Sequence, residues 1–215
     1  IWVRHLDGDL LSIDISFALD SKENIYVVGK FVGTINFDPN YSNFTATSQG
    51  NNDCFMLKLD QDGNFVWMKS IGGPDTSPID GITKNHVSIS EDDELYISGV
   101  YSVPFDFDPG PQTSLSTPVG EKDVFLSKFD SDGNYVWSTS FGGIYRDVVN
   151  DISIDSEGNV FLMGRFMESM DFEDDHLSIT TTSVGIWDIF LVKFNSDGDF
   201  LWVKTIEASG SEDCN

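Results

Sequence analysis

Apolar and polar residues alternate along this chain in short runs, each closed by turn-forming residues, and one such run returns three times. Residues 53–67 read DCFMLKLDQDGNFVW, residues 123–137 read DVFLSKFDSDGNYVW and residues 188–202 read DIFLVKFNSDGDFLW. Self-similarity over this length marks a repeat architecture. Within the phrase, successive side chains of a strand point to opposite faces. Cys54 and Met56 face one way and Phe55, Leu57 and Leu59 the other; Val124 and Leu126 oppose Phe125 and Phe129 in the next copy. Both faces are apolar, whereas a sheet with one wet face would alternate apolar with polar, so the pattern predicts a sheet covered on both sides by neighbours.

Each copy reads as four short antiparallel strands, and no helical periodicity of any length occurs. In the third copy the predicted strands are 151–155, 160–166, 189–194 and 200–205. DSEGN at 155–159 joins the first pair and NSDGD at 195–199 the last, each placing glycine where a hairpin loop needs positive φ. Gly29, Gly99 and Gly164 each precede a tryptophan (Trp67, Trp137, Trp202) by 38 residues, so these segments align without a gap. An insertion in the second copy falls between Gly73 and His86 and predicts a loop there.

Four-stranded repeats of this size fit a β-propeller blade better than a solenoid coil. The expected fold is therefore all-β, with three four-stranded antiparallel blades. Residues 1–14 read as the outer strand of a preceding blade, a lone strand near residues 1–6, with a linker. Residues 15–72, 73–142 and 143–207 read as blades, and 208–215 as the start of another. Three blades do not close a ring of four to eight. The sequence thus predicts an open piece of a larger propeller, flanked by neighbouring blades of the same longer chain and apolar at its ends.

Charge changes the picture of partners. With 12 Lys+Arg against 36 Asp+Glu the formal net charge is -24, which repels nucleic acid and anionic membrane surfaces. No apolar run reaches the length of a membrane-spanning helix. Cys54 and Cys214 form no CxxC or Cys/His cluster, and Cys54 takes the slot of Val124 and Ile189, as a small core residue would.

The repeated phrases resemble the bacterial SBBP-type β-propeller repeat. Its GNVYvtG strand appears at 157–164 and, more loosely, at 24–29. Its FxGTvDFDPG segment appears at 31–39 and 105–110, and its closing DxFLxKLDxxGNxxWxKxxGG motif at 53–73 and 123–143. The match departs at Asp7-Gly8 and Glu207-Ala208, where Gly-Gly is expected, and at 171–175, where DFDPG becomes DFEDD. The resemblance implies a secreted or cell-surface bacterial protein, often one carrying a C-terminal sorting domain for type IX secretion. It implies no activity.

Among candidate sites, the sharpest is a polar or acidic pair at i and i+2: Asn36 and Asp38, Asp106 and Asp108, Asp171 and Glu173. On a strand both members share a face, and converging carboxylates could bind calcium; capping of backbone donors at a turn is the plainer role for them. Asp60, Asp62, Asp130 and Asp132 imitate an EF-hand, yet Ile71 and Phe141 stand where its bidentate Glu belongs, which makes these segments hairpin turns. His5, His86 and His176 occupy unrelated contexts, and HExxH, GxSxG and phosphate-loop motifs are absent. Asn40 and Asn43 fit glycosylation sequons. No catalytic, cofactor or metal residue is assigned and no cofactor is expected, calcium being the one open possibility. The resulting expectation is a non-enzymatic scaffold or recognition module that binds a protein or glycan. The alternative is part of a propeller enzyme acting on polysaccharide, with its catalytic residues at the ring centre or outside these residues.

Overall fold

The computed structural model describes residues 3, 10–38, 44–50, 53–73, 82–173 and 178–207. The first copy contains β1 (Leu10–Leu19), β2 (Ile25–Phe31), β3 (Thr34–Asn36), β4 (Thr45–Thr47), β5 (Asp53–Leu59) and β6 (Phe65–Ile71). The second contains β7 (Ile82–Ile89), β8 (Leu95–Tyr101), β9 (Phe105–Asp106), β10 (Leu115–Ser116), β11 (Asp123–Phe129) and β12 (Tyr135–Phe141). The third contains β13 (Val148–Ile154), β14 (Val160–Phe166), β15 (Ser169–Glu173), β16 (Ser178–Thr182), β17 (Asp188–Phe194) and β18 (Phe200–Ile206). Three four-stranded antiparallel sheets result, in the orders β1-β2-β5-β6, β7-β8-β11-β12 and β13-β14-β17-β18. They are blades of an all-β propeller, with β1, β7 and β13 lying side by side as the inner strands.

Two points differ from the sequence expectation. Strand β1 begins at Leu10 rather than at residue 15. Each copy also has six strands, not four, because a separate two-stranded hairpin (β3-β4, β9-β10, β15-β16) is inserted between the second and third strands of the blade. Apart from the exposed Val3, the outer strand expected at 1–6 lies outside the described residues, as do 208–215 and most of the loop between Gly73 and His86.

The two apolar faces of the third strand separate into different cores. Cys54 and Met56 join Phe125 and Phe129 in the cluster between the first and second blades. Val124 and Leu126 join Phe190, Val192 and Phe194 in the cluster between the second and third. The inserted hairpins cover the phenylalanine face. Ile35 and Phe37 pack with Phe55, and Phe107 lies 4.9 Å from Phe125. Phe55, Phe125 and Phe190 have equivalent surroundings, each wholly buried opposite the recurring glycine in its neighbouring strand, Gly29, Gly99 and Gly164. The first blade's far face is covered over Phe55 by its own hairpin but stays open at its inner strand, where Phe17 is 70% exposed. The third blade's far face is also partly open, with Met163 exposed, and with Ile206 exposed where Ile71 and Phe141 are buried in the other copies.

Successive blades are latched by a repeated set of polar contacts. The Trp67 indole N–H donates to the Ser131 carbonyl at 3.3 Å, and Lys58 Nζ donates to the same oxygen at 3.1 Å. Trp137 and Lys128 repeat this on the Ser196 carbonyl at 3.2 and 3.1 Å. In both cases the acceptor lies in the hairpin turn of the next blade. The tryptophans are half-buried rather than fully covered, so each contributes less than the full-burial limit. A second link joins Gly72 to Asp106 and Gly142 to Asp171 through reciprocal backbone hydrogen bonds of 3.0 to 3.3 Å. The first glycine is required at both junctions, since a Cβ on Gly72 or Gly142 would clash with the Asp53 or Asp123 carboxylate; the second is required at Gly143, where a Cβ would clash with the Ser169 carbonyl.

Candidate functional site

The acidic pairs sit where alternation along the inserted hairpin places them. Ile35, Phe37, Phe105, Phe107, Met170 and Phe172 turn inward and are buried, so their neighbours turn toward the rim. Three of the six residues use an oxygen as a cap. Asn36 Oδ1 accepts the Asp38 N–H at 3.1 Å. Asp106 Oδ1 accepts the Asp108 and Ser114 N–H groups at 3.1 and 2.8 Å, and Asp108 Oδ1 accepts the Gly110 N–H at 2.7 Å. Asp171 differs: β15 continues through Glu173, and its carboxylate accepts the Thr180 hydroxyl at 2.6 Å instead. Calcium takes six to eight oxygen ligands. Among the described residues no three His, Cys, Asp or Glu side chains converge as a metal group, so the residues do not assemble such a set.

The EF-hand-like segments are hairpin turns. Gly63, Gly133 and Gly198 have φ of 73°, 72° and 91°, and Asp60 and Asp130 each accept the N–H groups of the residues two and four further on. The aspartate that opens each third strand is also a cap. Asp53 accepts the Gln49 and Gly50 N–H groups, Asp123 those of Val119 and Gly120, and Asp188 that of Val184. Burial raises Asp53 and Asp123 above the usual carboxylate range. Asp147 is pushed up further, to about 8, by burial and the nearby Asp123 carboxylate, although the Gly143 N–H donates to it at 2.7 Å. Cys54 is a buried free thiol pushed up to about 12 by burial, the environment of an inert core residue. His5, His176, Cys214, Asn40 and Asn43 lie outside the described residues.

Clefts open between blades among the described residues. A rim cleft of about 640 Å³ between the first and second blades is bounded by Ser70, Gly73, Pro104, Asp106, Asp108 and Leu115, which brings one acidic pair to its wall. A smaller cleft of about 160 Å³ between the second and third blades gathers Lys122, Arg146, Arg165 and Trp187. The sequence reading did not single out these four. The available signal was disagreement between copies. The residue before the strand-opening aspartate is Asn52, Lys122 or Trp187, and the residue after the marker glycine is Lys30, Val100 or Arg165.

No protein-family model matches the chain. It is similar to the regulatory protein FlaEY of Caulobacter vibrioides, 23% identical over 198 residues that make up 92% of this chain and 18% of that protein. It is also similar to an uncharacterised WD repeat-containing protein of Acanthamoeba polyphaga mimivirus, 25% identical over 184 residues, 74% of this chain and 13% of that protein. The chain therefore spans less than a fifth of either relative, and what the likeness to a WD-repeat protein supports is the propeller-type repeat fold.

Proposed function

We propose that this chain is a non-enzymatic recognition scaffold: a run of SBBP-type propeller blades from a secreted or cell-surface bacterial protein that binds a protein or glycan through residues differing between its blades. The observation that carries this reading is the division of labour among side chains. Those that recur hold the fold, as the Gly–Phe pairs, the Trp–Lys latches and the aspartate caps do. Those that diverge, Lys122, Arg165 and Trp187 among them, line the cleft between the second and third blades. Similarity to a regulatory protein and to a WD-repeat protein is consistent with a role in protein interaction.

The third blade carries the same latch trio. Phe161 and Trp202 lie edge to face at 6.1 Å, with Lys193 Nζ 4.9 Å from the Phe161 ring. They match Tyr26, Trp67 and Lys58, and Tyr96, Trp137 and Lys128. A neighbouring blade presenting an Asp- or Asn-x-Asp-Gly turn fits this face, as the DSDG turn of the second blade and the NSDG turn of the third fit the faces before them.

A peptide and glycan array combined with a hydrolase screen tests the reading. Selective retention of a peptide or glycan without turnover is expected, and hydrolysis of any polysaccharide by this chain would overturn it.

A further inference from the structure

One exchange sets the inserted hairpin of the second blade apart from its two counterparts. Leu115 of β10 stands opposite Asp106 of β9, where the other copies set Thr45 opposite Asn36 and Thr180 opposite Asp171. Thr180 donates its hydroxyl to the Asp171 carboxylate at 2.6 Å. Leucine has no hydroxyl to give. Asp106 Oδ1 accepts the Asp108 and Ser114 N–H groups, and among the described residues nothing donates to its Oδ2. Asp108 is in the same state, its Oδ1 accepting the Gly110 N–H and its Oδ2 unengaged among the described residues. Leu115 itself is 63% exposed, an apolar side chain held in water beside these carboxylates.

All three residues border the rim cleft between the first and second blades, whose volume of about 640 Å³ lies within the roughly 300–1,000 Å³ of ligand sites. The acidic wall is held in place from both sides: Gly72 and Asp106 exchange backbone hydrogen bonds of 3.2 Å, and the alternating Phe105 and Phe107 are buried behind it. Pro104 and Pro109 extend the apolar surface around Leu115. No cationic and no aromatic side chain is among the described residues that line the cleft.

We propose that this cleft, where the Asp106 and Asp108 carboxylates adjoin the exposed Leu115, binds a lysine or arginine side chain of a basic peptide. The inference deepens the scaffold reading and rests on it. A long cationic side chain lays its methylene stem along apolar surface and keeps its charged head among polar groups. A leucine and proline wall that ends in two unengaged carboxylate oxygens offers both. The net charge of -24 draws cations to the molecule, while screening over about 8 Å at physiological salt leaves the local carboxylates to decide where a cation rests. Calcium takes six to eight oxygens, and two carboxylate oxygens leave most of that shell unfilled. A cationic sugar would stack on an aromatic face, and the described lining has none, which favours a peptide.

The test is fluorescence polarisation at physiological salt with labelled peptides that carry one or two Lys or Arg among neutral residues. Their acetyl-lysine and citrulline counterparts and glucosamine oligomers are the comparison probes. Basic peptides are expected to bind and their neutralised counterparts not. Asp106→Asn and Asp108→Asn keep the Oδ1 acceptors and remove only the charge, and each is expected to weaken binding about fivefold. Leu115→Thr, which restores the residue type of the other copies at an exposed position, is expected to weaken binding as well. Glu91→Gln with Asp92→Asn, a charge change in the exposed turn at the other end of β8, is expected to leave affinity unchanged. Should an aspartate variant fail to fold, Leu115→Thr decides. Equal weakening by the control pair, equal binding of the neutralised peptides, preference for glucosamine oligomers, or no binding of any basic peptide would each overturn the proposal. A protein that retains a peptide or glycan and is indifferent to the three cleft variants loses the cleft and keeps the scaffold reading. One that turns over a polysaccharide loses the scaffold reading itself.

Discussion

The ring of Phe125 fills the space in which residue 99 would carry a side chain: a Cβ built on Gly99 would lie 2.7 Å from the ring edge. Gly99 and Phe125 stand opposite each other in paired strands, and Phe107 and Tyr101 close around the same ring. Gly99→Ala is therefore an overpacking mutation in a site that has little freedom to shift, and it should cost roughly 1–3 kcal/mol in urea unfolding. Combining it with Phe125→Leu should recover part of that loss, because the two groups compete for one volume. Strict additivity in the double mutant would show that the glycine serves some other purpose.

Trp67→Ala and Trp137→Ala should each lower stability by about 2–4 kcal/mol, since each removes a half-buried ring together with a hydrogen bond to the next blade. Trp202 has the same trio around it but no described hairpin against it, so Trp202→Ala should cost about 1 kcal/mol or less. Thermal melts of the three variants decide the matter. Equal losses would mean that the indole stabilises its own blade, and the latch would not couple neighbours.

Asp147 makes stability depend on pH in the direction opposite to that of Asp155, whose carboxylate the Asn159 side chain holds below the usual range. Its folded value, about 8, exceeds that of an unfolded aspartate, so the native state holds an extra proton between about pH 4 and 8. The stabilisation is fully present below the unfolded value and is lost as pH rises toward 8. Asp147→Asn keeps the acceptor for Gly143 and should flatten this slope, raising the melting temperature most at pH 8. A wild-type melting temperature that does not fall between pH 5 and 8 would contradict the burial of this carboxyl as an acid.

Glu23 and Asp93 hold the left-handed backbone position that Gly158 holds in the third copy, with φ of 62°, 61° and 78°. Glu23→Gly should raise stability by about 0.5 kcal/mol, relief of left-handed strain outweighing the entropy of glycine. Asp93→Gly should not, because the Asp93 carboxylate accepts the Ser21 N–H and hydroxyl of the adjoining blade at 2.7 and 2.8 Å. Differential scanning calorimetry of the pair separates strain from cross-blade bonding.

Chelation supplies a fifth check. The carboxylates of Asp60, Asp106 and Asp130 are occupied by backbone N–H groups, and EDTA is expected to leave the melting temperature unchanged relative to added calcium. A rise of several degrees with calcium would reveal an oxygen set beyond the described residues.

Much of the blade was legible in the sequence because its causes are local. Alternation of Cys54, Met56 and Leu57, and glycine in DGN turns, depends on residues one to four apart, so strands and hairpins in the third copy came within a few residues of those observed. The inserted hairpins escaped notice because β9 and β10 are two residues each, too short for periodicity to register. Capping was the plainer reading of their acidic pairs, and the fold supplied the N–H groups that those oxygens accept.

The repeat itself determined the all-β blades and their apolar front and back, since a strand that is oily on both faces is stable only between neighbours. Which blade each tryptophan grips, how Asp147 comes to lie beside Asp123, and that Lys122, Arg146, Arg165 and Trp187 share one cleft were decided by tertiary structure alone. These contacts join residues from different repeats, and their geometry follows from how one blade is rotated against the next, a quantity no single repeat encodes.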